Sequence, residues 1–76
     1  MDSLKILKQL FDTVWDDEHS YIFNCPECGS QECRFSKSKY IFKCFACGCA
    51  GNILTLVSIV KRVSFAEAVI YLSNIA

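Results

Sequence analysis

Apolar and polar residues alternate with a helical period at the start of the chain. The apolar residues are three or four positions apart, at Leu4, Leu7, Leu10, Phe11, Val14 and Trp15. This spacing puts them on one face of an amphipathic helix, which we assign to residues 1–20. Asp2 or Ser3 can cap its first turn, and the acidic run at residues 16–18 lies at the unfavourable end of the helix dipole. We therefore expect the helix to end at that run.

The helical period gives way to short β-prone segments between residues 21 and 45. Turn residues separate three such segments, at residues 21–23, 33–35 and 40–42. Three short antiparallel strands are the simplest structure that this pattern predicts.

Two helices are predicted after the strands. The glycine and asparagine at residues 51–52 can turn the chain and cap the first, and the two cations at residues 61–62 suit its end. Its apolar positions are Ile53, Leu56, Val57 and Val60. Ser64 and Glu67 have the spacing of a capping box at the start of the second helix. That helix carries Phe65, Ala68, Val69, Leu72 and Ile75.

Composition adds a stability problem to this picture. The chain has 76 residues, of which 53% are hydrophobic and six are cysteine. This composition excludes a disordered chain, yet an unaided core of this size rarely supplies more than about 3 to 5 kcal/mol. The N-terminus lacks the features of a signal peptide, and no apolar run is long enough to span a membrane. We expect a cytoplasmic protein with no membrane partner, in which cysteines serve as metal ligands before they form disulfides.

The formal net charge of zero conceals an asymmetry along the chain. Residues 1–32 hold two cations against seven acids, a net charge of −5, and residues 33–76 hold six cations against one acid, a net charge of +5. Such a division predicts nucleic-acid contact on the basic side and a different role for the acidic side. The alternative is that both sets of charges only solvate separate faces.

The main candidate for chemistry is a pair of C-x-x-C-G units. Cys25 and Cys28 form the first and Cys44 and Cys47 the second, with 15 residues between the inner cysteines. This spacing is typical of zinc sites, because two tight turns can bring four thiolates into a tetrahedron. Four protein ligands leave no open position, so we expect one structural Zn²⁺ and no catalytic metal. The predicted fold class is a small α+β zinc-ribbon domain with an N-terminal helix, a three-stranded antiparallel sheet with two knuckles and two C-terminal helices.

The cysteines and the histidine allow other interpretations. Paired C-x-x-C-G turns also hold iron in rubredoxin-like electron carriers, and disulfides require an oxidising compartment. The iron interpretation leaves the basic half without a role. We expect Cys33 and Cys49 to be small residues in or near the core and His19 to be solvated or partly packed.

The second half of the chain resembles the zinc-binding domain of bacterial and phage DnaG-type primases. The similarity runs from the aromatic strand at residues 40–43 through the C-F-x-C-G knuckle, the G-N helix start and the S-F-x-E-A-V-x-x-L helix. It covers residues 21–76, which we assign as the primase-type domain. The family usually has histidine where this chain has Cys28, whereas phage helicase-primases use four cysteines. In the family a catalytic domain follows, and this sequence stops at Ala76.

The resemblance implies a role on single-stranded DNA. Family members are taken to contact template through the exposed face of the sheet. Four cations occupy the corresponding region: Arg34, Lys37, Lys39 and Lys43. Strand alternation puts Lys39 and Lys43 on one side, which we expect to bind phosphates, and Tyr40 and Phe42 on the other, which we expect to pack in the core.

The leading hypothesis is a stand-alone, non-catalytic module that binds template and assists primer synthesis in trans with a separate polymerase, primase or helicase. A phage, plasmid or other mobile element is a natural source, and no small-molecule substrate is expected. One alternative is a zinc-stapled interaction module that recruits a replication or transcription protein without touching DNA. Another is a transcription-type zinc ribbon. Four apolar residues fall off the main helical stripes and are candidates for a partner surface: Leu54, Ile59, Ile70 and Tyr71.

Overall fold

Five short strands form one antiparallel sheet, and the helices pack against one of its faces. The computed structural model describes residues 3–75. In chain order the elements are α1 (Ser3–Leu10), β1 (Trp15–Asp16), β2 (Ser20–Phe23), β3 (Cys33–Ser36), β4 (Ile41–Cys44), β5 (Ala50–Asn52), α2 (Ile53–Lys61) and α3 (Phe65–Ile75). The strands lie in the sheet in the same order as in the sequence. The small α+β architecture is therefore confirmed, but the sheet has five strands in the described chain rather than three.

The N-terminal helix is shorter than predicted. Its last turn is closed by the amide of Phe11, which donates to the carbonyl of Leu7 at 2.9 Å. The following aspartate and threonine are weak helix formers, and the valine and tryptophan after them suit a strand. Residues 15–16 accordingly pair with β2, so the expectation of a helix reaching the acidic run was wrong. The proposed cap Asp2 lies outside the described residues.

The buried face of α1 also differs from the predicted stripe. Ile6 and Leu7 are fully buried, and Ser3 is buried beside them, whereas Leu4 is only partly covered. Ile6 and Leu7 belong to the same core cluster as Leu56 of α2. The N-terminal segment and the rest of the chain therefore share one hydrophobic core.

The three predicted strands are confirmed, and two further strands were missed. β5 has the sequence Ala-Gly-Asn, which carries no local strand preference, and β1 is only two residues long. Both form because a neighbouring strand offers hydrogen-bond partners: β5 pairs with β4, and β1 pairs with β2. Local sequence could not reveal these pairings.

The register of the sheet separates a core face from an open face. On the core face Phe35 lies opposite Phe42, and Cys33 lies opposite Cys44, and all four are buried. The open face contains a row of residues that are Cα partners across all five strands. This row comprises Trp15, Ile22, Arg34, Lys43 and Ala50.

The predicted alternation in β4 holds for one aromatic residue and fails for the other. Phe42 is 1% exposed, as expected for a core residue. Tyr40 precedes the strand, has a left-handed backbone with φ of 58° and is 51% exposed. Its amide donates to the carbonyl of Ser36 at 3.0 Å, so Tyr40 belongs to the turn that joins β3 to β4. The expectation that Tyr40 packs in the core was wrong.

The two C-terminal helices begin at the predicted caps. Asn52 caps α2, since its Oδ1 accepts from the amide of Thr55 at 2.9 Å, and Ser64 Oγ accepts from the amide of Glu67 at 3.3 Å before α3. Arg62 ends α2 in a left-handed conformation. No helix among residues 3–75 has the length and hydropathy needed to cross a lipid bilayer.

The apolar face of α3 is rotated relative to the predicted stripe. Ala68 is buried, and Tyr71, Leu72 and Ile75 pack against the core. Counted from Ala68, the other three residues lie three, four and seven positions further along, which puts all four on one face of the helix. Phe65 and Val69, which the sequence pattern assigned to the buried stripe, are exposed. Because the helix is apolar on most of its circumference, the pattern alone could not specify which side packs.

Candidate metal centre and open sheet face

The first C-x-x-C-G unit forms a tight knuckle between β2 and β3. The amide of Gly29 donates to the carbonyl of Cys25 at 2.8 Å, and the amide of Cys25 donates to the carbonyl of Ser30 at 2.8 Å. Gly29 has a φ of 77°, a conformation that glycine adopts without steric cost. The turn directs the side chains of Cys25 and Cys28 to the same place.

The second unit repeats these hydrogen bonds between β4 and β5. The amide of Gly48 donates to the carbonyl of Cys44 at 2.9 Å, and the amide of Cys44 donates to the carbonyl of Cys49 at 2.7 Å. Gly48 has a φ of 82°. The two knuckles are therefore built alike, and each presents two sulfur atoms from its turn.

The two knuckles bring four sulfur atoms together. The Sγ atoms of Cys25, Cys28, Cys44 and Cys47 all lie within 4.8 Å of one another. The distance is 3.7 Å between Cys25 and Cys47 and 3.6 Å between Cys28 and Cys44. Zinc–sulfur bonds of about 2.3 Å in a tetrahedron require sulfur atoms about 3.8 Å apart. The donor set and its spacing therefore fit one Zn²⁺, which would tie β2 and β3 to β4 and β5.

The polypeptide around the cluster favours the thiolate form at two of these cysteines. Backbone hydrogen bonds, first from the amide of Cys47 and then from that of Ala46, lower the pKa of Cys44 to about 6. Hydrogen bonding with Ser30 lowers the pKa of Cys28. A backbone hydrogen bond from Cys49 lowers the pKa of Cys47, but hydrogen bonds with the other cluster cysteines and burial outweigh it and raise this pKa to about 12. Thiolates are the form that ligates zinc, so Cys44 and Cys28 are the two cysteines that the polypeptide prepares for a cation.

The remaining cysteines and the histidine stand outside the cluster. Cys33 is fully buried, and burial raises its pKa, which keeps it a neutral thiol in the core. Cys49 is partly buried, and burial raises its pKa as well. The side chain of His19 is 87% exposed beside Glu18. Within the described part of the chain, the group with metal-ligand spacing contains the four knuckle cysteines alone.

Three of the four cations predicted to bind nucleic acid line one groove. The groove lies on the open face of the sheet and has a volume of about 330 Å³. Arg34 and Lys43 are cross-strand partners in it, and Lys39 enters from the turn before β4. The groove is lined by His19, Ser20, Arg34, Ser36, Lys39, Ile41, Phe42, Lys43 and Phe45.

Lys37, the fourth predicted cation, is not among the lining residues of this groove. Its ammonium group forms an ion pair with Asp16 and lies 4.7 Å from the centre of the Tyr21 ring. The hydrogen bond to Asp16 raises the pKa of Lys37. Tyr21 is the Cα partner of Phe35 in the core-facing row, so Lys37 lies against the side of the sheet opposite the groove.

Two exposed aromatic residues near the cations were not recognised as site candidates from sequence. Phe45 lines the groove, is 61% exposed and has the Lys43 ammonium 5.4 Å from its ring centre. Trp15 ends the open-face row and is 43% exposed. Phe45 lies inside the second C-x-x-C-G unit, so its position next to the metal ligands could be seen in the sequence. The position of Trp15 follows only from the pairing of β1 with β2.

The predicted partner residues differ in accessibility. Ile70 is 61% exposed on α3. Leu54, Ile59 and Tyr71 are only partly buried and pack against the core. The ammonium of Lys61 lies 5.0 Å from the centre of the Tyr71 ring. Phe65 and Val69 are exposed as well, so much of the outer face of α3 is apolar.

The fold and the four-cysteine site define a class of protein. Two C-x-x-C-G knuckles at one end of an antiparallel sheet, with four sulfur atoms at zinc spacing, constitute a zinc ribbon. The family model described as the CHC2 zinc finger, the zinc ribbon of DnaG, matches residues 15–76, so the chain belongs to this family of primase zinc-binding domains. Cys28 takes part in the cluster at the position where the family usually has histidine.

The relatives of the chain are DNA primases. The DNA primase of Clostridium acetobutylicum is 54% identical over 39 residues, which are 51% of this chain and 6% of that protein. The DNA primase of Aquifex aeolicus is 39% identical over an alignment of 57 residues, and the match covers 72% of this chain and 11% of that protein. The chain therefore spans only a small fraction of these relatives.

A solved structure shares the fold over nearly the whole chain. The crystal structure of the Aquifex aeolicus primase, comprising its zinc-binding and RNA polymerase domains, matches with a TM-score of 0.75 and 29% sequence identity. The match covers 95% of this chain and 19% of that chain. The match therefore extends into the N-terminal helix, which lies outside residues 21–76, where the sequence resembles the family.

Proposed function

We propose that this chain is a primase-type module that binds single-stranded DNA template on the open face of its sheet, with Cys25, Cys28, Cys44 and Cys47 holding one structural Zn²⁺. The observation that carries the proposal is the groove in which Arg34, Lys39 and Lys43 surround the apolar side chains of Ile41 and Phe45. Cations can neutralise phosphates while apolar and aromatic side chains contact unstacked bases. The zinc ion would fix the knuckle that carries Phe45 next to β4.

The electrostatics of the groove favour a polyanion despite the zero net charge of the chain. Lys39 and Lys43 have no ion-pair partner among residues 3–75, and Arg34 has one, Asp17. If three cations neutralise three phosphates, log K for a single strand falls with a slope of about −2 against log salt. Including Lys37, as the sequence suggested, would make this slope about −3.

The module acts, in this proposal, with a polymerase, primase or helicase that supplies catalysis in trans. Support comes from the relatives, which are DNA primases, and from the similarity to a primase structure that contains a separate RNA polymerase domain. Leu54, Ile59, Ile70 and Tyr71 are the proposed partner residues, of which Ile70 is the most accessible. A cytoplasmic location is part of the same proposal, because the template lies there.

Charge reversal in the groove tests the proposal. Zinc-loaded wild-type protein is titrated into a labelled oligothymidylate, and anisotropy is followed at several salt concentrations. Lys39→Glu and Lys43→Glu are each expected to weaken binding at least tenfold at low salt and to flatten the salt slope. Lys8→Glu on the exposed side of α1 makes the same change in net charge outside the groove and serves as the matched control.

The outcomes separate the proposal from its rivals. Loss of binding in the groove variants, with the control unaffected, supports template binding at this face. Equal losses in all three variants would mean that only net charge matters, and no binding by the zinc-loaded wild-type protein would leave the interaction module as the better function. A primer-synthesis assay with the partner enzyme then measures whether the groove variants lower primer yield.

A further inference from the structure

Trp15 lies at the edge of the sheet, at one end of the open-face row that also contains Arg34 and Lys43. It is the Cα partner of Ile22, which is the partner of Arg34, which is in turn the partner of Lys43. Side chains of directly opposed residues point to the same side of an antiparallel sheet. The indole ring therefore lies on the same face as the two cations, and the Cα atoms of Trp15 and Lys43 are three strand spacings, or about 14 Å, apart.

The position of Trp15 is held by the turn that follows it. The amide of Asp17 donates to the carbonyl of Ser20 at 2.9 Å, and the carboxylate of Asp17 forms an ion pair with Arg34 at 3.5 Å. The backbone hydrogen bond closes the turn between β1 and β2, whereas the exposed ion pair contributes little to holding β1 in place. A large aromatic side chain is thus 43% exposed on an edge strand, on the same face of the sheet as the cation-lined groove.

We propose that Trp15 is a base-stacking platform, so that a single strand crosses the sheet from Trp15 past Arg34 and Lys43 to Phe45. This inference rests on the proposed template-binding function and deepens it by adding a binding residue and the path that the single strand follows across the sheet. Aromatic rings stack bases of any sequence, whereas the cations between them follow the phosphates. The ligand class is a single strand with several unpaired bases, because Trp15 lies at one end of the row and the Phe45 ring lies beside Lys43, three strands away.

Intrinsic fluorescence tests this inference directly, because Trp15 is the only tryptophan of the chain. Zinc-loaded protein is titrated with a labelled oligothymidylate, and the anisotropy of the label is recorded in parallel with indole emission. Stacking predicts that emission is quenched and saturates at the same concentration as anisotropy. Binding that saturates without any change in emission would overturn the stacking role and leave template binding intact.

Substitutions at position 15 separate stacking from a structural role. Trp15→Ala is expected to weaken binding by about 5- to 100-fold with an unchanged salt slope, since no phosphate contact is lost. Trp15→Phe retains a stacking ring and is expected to bind within a few-fold of wild type. Lys43→Ala, by contrast, should flatten the slope by about 0.7 and still show quenching at saturation.

Failure of this inference differs from failure of the proposed function. Wild-type affinity in Trp15→Ala, or a loss in Trp15→Phe as large as that in Trp15→Ala, would overturn the stacking role. Circular dichroism and zinc content of the two variants show whether the fold and the metal site are retained, and the quenching of wild-type protein needs no variant at all. Absence of any anisotropy change would overturn template binding itself, and the stacking role with it.

Discussion

Asp17 and Arg34 are joined by an ion pair of 3.5 Å between Oδ2 and Nη1, across a separation of 17 residues. A second pair joins Asp16 to Lys37. The acidic and basic parts of the sequence therefore meet at the edge of the sheet instead of forming separate faces. One consequence is that an acid lies next to the cations that would bind a template, and it competes with phosphate for Arg34.

Removing this acid is expected to strengthen template binding. Asp17→Asn frees Arg34 for phosphate and should raise affinity for a single strand by up to about fivefold, the equivalent of the 0.2 to 1 kcal/mol measured for exposed ion pairs. The salt slope should steepen, because a third cation becomes fully available. Anisotropy titrations at several salt concentrations measure both quantities.

Asp16→Asn is the matched control, because it frees Lys37 on the other side of the sheet and makes the same change in net charge. It should change affinity less than Asp17→Asn does. An equal gain from both variants would show that net charge, and not the release of Arg34, governs binding.

The position of Cys28 leads to a prediction about the metal. Its Sγ completes the cluster, and histidine is the usual family residue at this position. Cys28→His is therefore expected to keep one zinc per chain, whereas Cys28→Ser should lower zinc affinity at least tenfold and reduce the stability that zinc confers. Zinc content after dialysis against a competing chelator distinguishes the two variants.

Cys33→Ser provides the control for this experiment, since Cys33 is buried beside the cluster but is not one of its four members. It should retain zinc, although it places a hydroxyl in the core. Loss of zinc from Cys33→Ser equal to that from Cys28→Ser would contradict the assignment of four ligands.

Much of this architecture could be predicted from the sequence, because strong local signals coincide with the structure. The knuckle spacing predicted the four cysteines that meet, and the caps at Asn52 and Ser64 predicted where α2 and α3 begin. These features depend on short-range geometry. Helix starts and paired turns are encoded within a few residues, so single-sequence reasoning reaches them.

The parts that could not be predicted depend on contacts between distant residues. β1 and β5 form only because they pair with neighbouring strands. The sequence pattern therefore placed Trp15 on the apolar face of a helix, whereas the structure places it, exposed, in the sheet. Likewise, only the turn geometry shows that Lys37 turns away from the groove. The sequence shows how many charges each half of the chain carries. It does not show where they lie in space, because their positions depend on how the strands pair.

Neighbouring aromatic residues in and before β4 are expected to differ sharply in their contribution to stability. Phe42 is fully buried opposite Phe35, so Phe42→Ala should lower the free energy of unfolding by about 3 to 5 kcal/mol. Tyr40 is exposed in a turn, so Tyr40→Ala should change it by less than about 1 kcal/mol. Denaturant unfolding at a fixed free zinc concentration compares the two, and similar losses would contradict the reported register.

Gly51 sets how closely β5 approaches α2. A Cβ atom at this position would lie 2.7 Å from both Cβ and Cγ2 of Thr55, far inside van der Waals contact. Thr55 cannot move away freely, because its amide and its hydroxyl both donate to Asn52 Oδ1, at 2.9 and 3.1 Å. Gly51→Ala is therefore expected to lower the free energy of unfolding by about 1 to 3 kcal/mol, as overpacking does elsewhere.

A double-mutant cycle identifies the cause of the loss at Gly51. Thr55→Gly removes the colliding side chain and keeps the capping amide, at a cost of its own in a helix. If the clash causes the loss, Gly51→Ala should cost less in the Thr55→Gly background than in wild type, with a coupling energy of about 1 kcal/mol or more. An unchanged cost in both backgrounds would instead assign the loss to the backbone of β5. Because β5 pairs with β4, which carries Lys43 and Cys44, a confirmed clash would also predict weaker zinc retention in Gly51→Ala.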